Sequence, residues 1–241
     1  MEDQQSICII SARGGSKGIP NKNLIDIYGR PLISFSIESA IQSKLFDKVI
    51  VTTDSEEIAD VSISYGAEVP FIRPSELAKD HSLVQDAISH CLKYVKEKYK
   101  RYPYVCFRQP TTPLVSEEDI IKSFDLLIDK KADMVVSVSE TPCNINWVGV
   151  VGEDLSMKNF KSLFNSNICG TRRQDFSETH VLNGGIYFGK WDIFYNKLDY
   201  YEQNTYAYIM PQKRSIDIDC YYDLELFKFI LKEEENDKKI D

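Results

Sequence analysis

The sequence predicts an α/β fold in which helices flank a mostly parallel sheet. Strand-like runs rich in β-branched residues alternate along the chain with longer amphipathic segments, and this alternation favours parallel pairing of the strands. The 241 residues include 43% apolar and 27% charged side chains, which is typical of one soluble globular domain. We therefore predict a single domain over residues 1–241.

The order of the elements follows from the periodicity of apolar residues. The predicted strands cover residues 7–10, 48–52, 104–107 and 134–138. The predicted helices cover residues 31–43, 56–65, 83–98, 117–129 and 222–234. Pro31 suits the first turn of its helix because its missing N–H needs no partner there. Gly66 directly follows the second helix, where glycine is common.

The alternation of helix and strand patterns becomes irregular between about residue 140 and residue 182. Pro142 and three glycines divide this stretch into short pieces, so it is predicted to be an inserted arm. Trp147, Val148 and Val150 lie within it and would be exposed on a monomer. Exposed apolar patches mark interfaces, so the arm is expected to contribute to a dimer.

Charge and cysteine usage exclude several classes of partner. The net charge of −8 disfavours nucleic acid and anionic membranes, because both select a broad cationic surface. The six cysteines show neither a C-x-x-C pair nor a zinc-site spacing, and they are expected to be reduced. The acidic N-terminal residues and the absence of an apolar run of about 20 residues lead us to expect a cytoplasmic protein.

The loop after the first strand has the composition of an anion site. Residues 11–23 hold three glycines and three cations, namely Gly14, Gly15, Gly18, Arg13, Lys17 and Lys22. Glycines allow main-chain N–H groups to approach an anion, and the cations can neutralise it. Neither G-x-x-x-x-G-K-[ST] nor G-x-G-x-x-G is present, which excludes the two commoner phosphate motifs. A solvated basic turn is the alternative; the position at a sheet switch favours a polyphosphate.

The loop sequence ARGGSKGIPNKN at residues 12–23 resembles the signature of the acylneuraminate cytidylyltransferases, also called CMP-sialic acid synthetases. Further short blocks resemble that family in the same order. They are YGRPL at 28–32, VTTD at 51–54, GAEVP at 66–70, RPSEL at 73–77, QPTTP at 109–113, RRQD at 172–175, NGGIY at 183–187 and SIDID at 215–219. The resemblance covers residues 7 to about 230, and the order of the blocks is more specific than any one of them.

The resemblance implies a Rossmann-like fold of the nucleotide-diphospho-sugar-transferase type. It also implies transfer of CMP from CTP to a nine-carbon 2-keto sugar acid, with Mg²⁺ and release of pyrophosphate. Such a reaction depends on positioning and on neutralising a polyanion. The family further implies homodimers that exchange the arm.

The nucleotide-binding residues are assigned by position in the family. Arg13 resembles the arginine that contacts the triphosphate, Lys22 the lysine near the α-phosphate, and Lys17 would assist at the pyrophosphate. Arg13, Lys22 and Asp219 are the predicted catalytic residues. The full predicted nucleotide site is Arg13, Gly14, Gly15, Lys17, Lys22, Asn23, Arg73 and Ser82.

Asp217 and Asp219 are the predicted metal ligands. The two residues are two positions apart, so in an extended strand both carboxylates would point to the same face. Mg²⁺ usually binds one or two carboxylates together with phosphate oxygens and water. The alternative is a polar strand end in which Asp219 or Asp223 caps the following helix. Asp219 is assigned to the metal first, although it could also accept the proton of the sugar hydroxyl.

The acceptor site is assigned in the same way to Gln109, Arg173, Asn183 and Tyr187. Sialic acid enzymes usually have serine at position 112 and arginine at position 115, and many have arginine at position 181. This chain has Thr112, Val115 and Val181, which disfavours N-acetylneuraminate itself. A deoxy or diamino relative such as legionaminic or pseudaminic acid would suit a less polar pocket.

The sequence is also compatible with two other functions. One is a cytidylyltransferase for the eight-carbon acid Kdo, whose loop is similarly rich in arginine; the loop and SIDID blocks favour the nine-carbon branch. The other is a catalytically inactive nucleotide-binding protein on the same fold. The loop cations and both aspartates are present, which disfavours that alternative.

Overall fold

A computed structural model of the chain describes residues 5–16, 18–79, 81–141, 143, 145–151, 153–156, 172 and 177–237. The strands are β1 Ser6–Ser11, β2 Asp26–Ile27, β3 Arg30–Pro31, β4 Phe46–Thr52, β5 Tyr104–Arg108, β6 Met134–Glu140, β7 His180–Lys190 and β8 Thr205–Ile209. The helices are α1 Leu32–Gln42, α2 Glu56–Ser64, α3 Val84–Lys98, α4 Glu117–Asp129, α5 Trp191–Tyr195 and α6 Tyr221–Asp237. The four strands and five helices predicted from periodicity are confirmed, with ends that differ by up to three residues.

The main sheet has the strand order β4-β1-β5-β7-β6-β8. Its neighbours pair in parallel except at β7, which is antiparallel to both β5 and β6. The predicted, mostly parallel sheet is therefore confirmed. After β1 the chain forms β4 on one side and later β5 on the other, so the strand order reverses beside β1. A crevice is expected at the carboxyl ends of β1 and β5.

Helices cover both faces of the sheet because successive side chains of each strand point to opposite sides. Ile7 and Ile9 of β1 join the core under α3 and α5. Cys8 and Ile10 of the same strand pack against α1 and α2. Helix α4 lies against β6 and β7 on the same face as α1. No helix in the described part of the chain has the length and hydropathy that crossing a membrane requires.

Helix α6 packs outside this sheet, against the loop that follows β1. Ile19 of the loop is fully buried with Ile218, Leu224 and Phe227. This fourth core cluster fixes the loop and the start of α6 relative to each other. Burying such side chains contributes roughly 1.5–3 kcal/mol each, so the loop is anchored by packing as well as by polar contacts.

The predicted arm begins and ends in paired strands. Glu140 at the end of β6 pairs with His180 at the start of β7, so residues 180–182 belong to the sheet. Thr141 continues the pairing by donating its N–H to the carbonyl of Thr179 at 2.9 Å. The described residues 145–151 include exposed Trp147, Val148 and Val150. Much of residues 157–176 lies outside the description, so the arm and the single-domain organisation stay predictions.

A buried carboxylate fixes the segment that leads to α6. Asp119 is 1% exposed and forms a capping box with Ser116 at the start of α4. The same carboxylate accepts hydrogen bonds from Nε and Nη2 of Arg214, at 3.0 and 2.8 Å, and from the Tyr208 hydroxyl at 3.1 Å. Burial opposes ionisation of Asp119, but the bonds from Arg214 and Ser116 outweigh it and lower its pKa.

We predict that Asp119→Asn lowers the free energy of unfolding by about 2–3 kcal/mol, because Arg214 loses its charged partner. Since the folded pKa is depressed, this stabilisation is present above the unfolded value of about 4 and is lost as the pH falls below it. Urea unfolding at pH 7 and pH 3 measures both effects. The control is Lys122→Ala, which breaks an exposed ion pair with Glu118 and should cost under about 0.5 kcal/mol. Equal losses in both variants would contradict the assignment.

Candidate active site

A cleft of about 330 Å³ lies at the crevice that the strand order predicts. It is lined at the end of β1 by Ser11, Arg13, Gly15 and Ser16, and at the end of β5 by Phe107, Gln109, Pro110 and Thr111. The remaining walls are Lys22, Asn23, Arg73, Leu77, Ala78, Lys79, Ser82, Val84, Ala87 and Asp219. The structure thus brings most of the predicted nucleotide residues together, although they come from distant parts of the sequence.

The near end of the loop is held by side-chain hydrogen bonds to its backbone. The N–H of Gly14 donates to Oδ1 of Asp54 at 3.0 Å. Nδ2 of the buried Asn23 donates to the carbonyl of Arg13 at 2.9 Å. A Cβ on Gly14 would lie only 3.2 Å from Cβ of Ser55, so glycine allows the loop to pack closely here. These contacts fix the backbone on either side of Arg13.

The far end of the loop contacts the segment before α6. A Cβ on Gly18 would lie 2.2 Å from the carbonyl oxygen of Asp219, so only glycine permits this approach. Nζ of Lys22 donates to the carbonyl of Ile218 and forms an ion pair with Oδ1 of Asp219 at 3.0 Å. The Lys22 side chain is largely buried, whereas that of Asp219 is 78% exposed. The two residues therefore meet at the mouth of the cleft.

Arg73 is a buried cation on the wall of the cleft. It is 4% exposed, and its Nη1 donates to Oγ of Ser11 at 2.9 Å. Its Nη2 lies 3.5 Å from Oδ1 of Asp54, while its Nε has no partner. Burial lowers the pKa of Arg73, Asp54 acts in the opposite direction, and Arg13 lowers the pKa further. Two cations that repel each other beside a cleft favour an anionic ligand.

Some of the other residues predicted to bind the nucleotide also line the cleft. Arg13 and Gly15 line the cleft directly. Ser82 lines it too, although its hydroxyl donates to the carbonyl of Glu76 at 2.7 Å. Lys17 lies outside the described residues. Lys79 is an exposed cation of the lining that no sequence motif indicates.

The two predicted metal ligands do not share a strand face, so that geometric prediction is wrong. Residues 215–219 form no strand, because Ile218 instead donates its N–H to the carbonyl of Thr111 at 2.8 Å. Asp217 is partly buried, whereas Asp219 is exposed. The alternative that Asp223 caps the helix is confirmed: its Oδ2 accepts the N–H groups of Asp219 and Cys220 at 3.0 and 2.9 Å.

Asp217 nevertheless retains the character of a cation ligand. Its Oδ1 is buried without a hydrogen-bond partner. Burial raises the pKa of Asp217, the Thr111 hydroxyl and Lys22 oppose this, and the Asp219 carboxylate adds to it. Within the described residues no group of three His, Cys, Asp or Glu side chains could hold a metal. Two carboxylates suit Mg²⁺ when phosphate oxygens and water complete its shell.

A second cavity of about 220 Å³ shares Val84, Phe107 and Gln109 with the cleft. Its other lining residues are Leu83, Gln85, Tyr187, Tyr200 and Tyr201, and none of the eight is charged. Burial raises the pKa of Tyr187, and it raises that of Tyr200 to about 12, so both phenols stay protonated at neutral pH. Gln109 and Tyr187 were predicted for the acceptor site, whereas no sequence motif indicates Tyr200 and Tyr201.

Asn183 lines neither cavity, so its predicted contact with the sugar stays a prediction. It is buried, and its Oδ1 accepts hydrogen bonds from Oγ of Ser137 at 2.6 Å and from the Gly185 N–H at 3.1 Å. Its Nδ2 donates to Oγ of Ser215 at 2.9 Å. Asn183 therefore joins β6, β7 and the segment that carries Asp217.

The three residues that were predicted to disfavour N-acetylneuraminate also line neither cavity. Thr112 and Val115 are buried, and Val181 is exposed on β7. The apolar character of the second cavity thus comes from its aromatic wall. Arg173 lies outside the described residues, and Arg172 is exposed and outside both cavities.

The sheet and cleft define a nucleotide-binding α/β protein with a cationic loop at the switch of strand order. A family model described as Cytidylyltransferase matches residues 7–237, and the chain belongs to this family. Pseudaminic acid cytidylyltransferase of Campylobacter jejuni is 30% identical over 228 residues, 95% of this chain and 97% of that protein. N-acylneuraminate cytidylyltransferase of Escherichia coli is 34% identical over 236 residues, 98% of this chain and 54% of that protein.

A solved structure of similar fold is that of CMP:2-keto-3-deoxy-manno-octonic acid synthetase complexed with CTP. It matches 95% of this chain and 99% of that chain, with a TM-score of 0.71 and 19% sequence identity. This match confirms the fold predicted from the sequence resemblance.

We predict that Gly18→Ala destabilises the chain and Gly15→Ala does not. The added methyl at position 18 would meet the Asp219 carbonyl, at a cost of about 1–3 kcal/mol, whereas no atom lies within 4 Å of a Cβ on Gly15. Urea unfolding of both variants measures the difference. Equal stability of the two variants would contradict the contact between the loop and the Asp219 backbone.

Proposed function

We propose that the chain transfers CMP from CTP to the anomeric hydroxyl of a nine-carbon 2-keto sugar acid and releases pyrophosphate. The observation that carries the proposal is the continuity of the two cavities. A cationic cleft and an uncharged aromatic cavity meet at Phe107 and Gln109, so a nucleotide and a sugar can lie end to end. The relatives at 30–34% identity are named for such acids, which supports this acceptor class.

Different residues of the cleft are proposed to bind the triphosphate and the cytidine part of the nucleotide. Arg13 and Lys22 neutralise the triphosphate, and the Gly14–Gly15 backbone lies against it, with Lys17 at the pyrophosphate. Asn23, Arg73 and Ser82 hold the cytidine part. Because the donors are fixed by the packing of the loop, little reorganisation is needed as charge develops on the leaving pyrophosphate.

Mg²⁺ is the proposed cofactor, held by Asp217 and Asp219. The unpartnered Oδ1 of Asp217 and the exposed carboxylate of Asp219 are oxygen ligands of the kind Mg²⁺ prefers. When bound, the ion would neutralise phosphate charge and polarise the attacking hydroxyl. With Asp219 bound to the ion, the carbonyl of Ile218 would remain the protein partner of Lys22, and the Lys22 ammonium group would contact the α-phosphate.

The acceptor is proposed to lie in the second cavity, with Gln109 donating to it and Tyr187 at its wall. Three tyrosines, Phe107 and Leu83 favour an acid that carries apolar substituents such as N-acyl or deoxy methyl groups. Pseudaminic and legionaminic acids have this character. The eight-carbon alternative has less support, because the likeness to the octonic acid synthetase extends to the fold alone at 19% identity.

The proposed test is pyrophosphate release from CTP with a panel of keto-sugar acids, with and without Mg²⁺. We expect turnover with nine-carbon acids bearing two N-acyl groups, slower turnover with N-acetylneuraminate, and none after chelation of divalent ions. Lys22→Ala should lose at least about 100-fold in kcat on the scale of a removed oxyanion donor. Release with the eight-carbon acid alone would favour the alternative substrate. No release with any acid would favour a binding-only protein.

We further propose that the active form is a cytoplasmic homodimer in which the arm completes the acceptor site. The second cavity has no cation in its described lining to meet the acid's carboxylate, and Arg173 in the arm would supply one. Exposed Trp147 and Val150 support an interface there. We predict a dimer in analytical ultracentrifugation at micromolar concentration. A fully active monomer would contradict arm exchange.

A further inference from the structure

Asp54 lies between two parts of the cleft that the proposed function assigns to different parts of the nucleotide. It follows the carboxyl end of β4, where the backbone also holds the loop: the Ala12 N–H donates to the carbonyl of Thr52 at 3.1 Å. The Arg73 N–H donates to the carbonyl of Thr53 at 2.7 Å. The short segment 52–55 is therefore the common support of the phosphate loop and of Arg73.

A single oxygen of Asp54 serves both neighbours. Its Oδ1 accepts the Gly14 N–H at 3.0 Å and lies 3.5 Å from Nη2 of Arg73. Ser11 holds the other terminal nitrogen of the guanidinium at 2.9 Å. With both ends of its guanidinium held, the buried Arg73 has one orientation on the cleft wall.

The charge of Asp54 is needed as well as its shape. Arg73 is 4% exposed and lies close enough to Arg13 for the two cations to repel each other. A buried guanidinium without a charged partner is costly, and Asp54 is the carboxylate that the structure places beside it. Asp54 is itself only partly exposed, with 24% of its side chain accessible, and it is not among the residues that line the cleft.

We propose that Asp54 is a positioning residue that couples recognition of the two ends of CTP by orienting Gly14 and Arg73 together. The proposal rests on the proposed function for the identity of the ligand. Asp54 makes no contact with the ligand; it acts through the Gly14 N–H and through Arg73. Removing it therefore weakens nucleotide binding and leaves the acceptor cavity unchanged, since none of its lining residues contacts Asp54 by a hydrogen bond or ion pair.

Calorimetric binding of CTP to purified Asp54→Asn and Asp54→Ala chains tests this. Asn keeps an oxygen for Gly14 but removes the charge, so we expect a rise in Kd of about tenfold. Ala removes both and should raise Kd by about 100-fold, with KM for the acid changed less than about threefold. Asp54→Ala combined with Arg73→Met should bind more weakly than Arg73→Met alone, because the Gly14 contact is lost as well, but by less than the sum of the two single losses, because both variants remove the same contact between Asp54 and Arg73.

The matched control is Asp26→Asn. Asp26 also accepts a glycine N–H, that of Gly29 at 3.2 Å, but in the β2–β3 hairpin away from the cleft. Asp26→Asn should leave the Kd for CTP within twofold of that of the unmodified chain. A Kd for Asp54→Ala within threefold of the unmodified chain, or fully additive losses in the double variant, would overturn the proposal.

Hydrogen exchange of the Gly14 amide supplies a readout that needs no ligand. We expect faster exchange at Gly14 in Asp54→Ala and unchanged exchange in Asp26→Asn. Unchanged exchange at Gly14 in Asp54→Ala would overturn the positioning role. An unmodified chain that binds no CTP, but whose Gly14 amide depends on Asp54, would instead contradict the proposed function.

Discussion

The site depends on the contact between the loop after β1 and the segment before α6. Lys22 and Ile218 are 196 positions apart in the chain, yet Nζ of one donates to the carbonyl of the other. The contact is possible because Gly18 has no Cβ to meet the Asp219 carbonyl and because Ile19 is buried with Ile218. One wall of the cleft therefore comes from the beginning of the fold and the other from its end.

Strand β7 explains how the second cavity joins the first. Because it lies antiparallel between β5 and β6, its Tyr187 pairs with Phe107 of β5 near the end of that strand. A Cβ on Gly184, which has φ of +70°, would lie 3.5 Å from Asp217 and 3.7 Å from Gln109. Asn183 beside it fixes Ser215. The second cavity and the Asp217 carboxylate thus share one structural support.

Local signals predicted most of the fold, and long-range contacts explain what they missed. The β-branched runs of β1 and β4 and the spacing of apolar residues in α4 act within a few residues, so the sequence indicates them. β7 was missed because its polar residues and Gly184–Gly185 interrupt the strand pattern. The strand predicted at 215–219 was wrong because Ile218 bonds to Thr111, more than a hundred residues away. No sequence pattern near Tyr200 and Tyr201 indicates that they line a cavity.

The acidity of the chain and its cationic cleft act over different distances. Surface charges are screened beyond a Debye length of about 8 Å at physiological salt, so the net charge of −8 acts mainly on large polyanions that approach the whole surface. Arg73 is buried and Lys22 largely so, and charges in such sites are screened much less. A small anion that enters the cleft therefore experiences the local cations more than the acidic surface. Because the buried Arg73 needs a neighbouring carboxylate to remain in place, the acidity of Asp54 helps to build the cationic site.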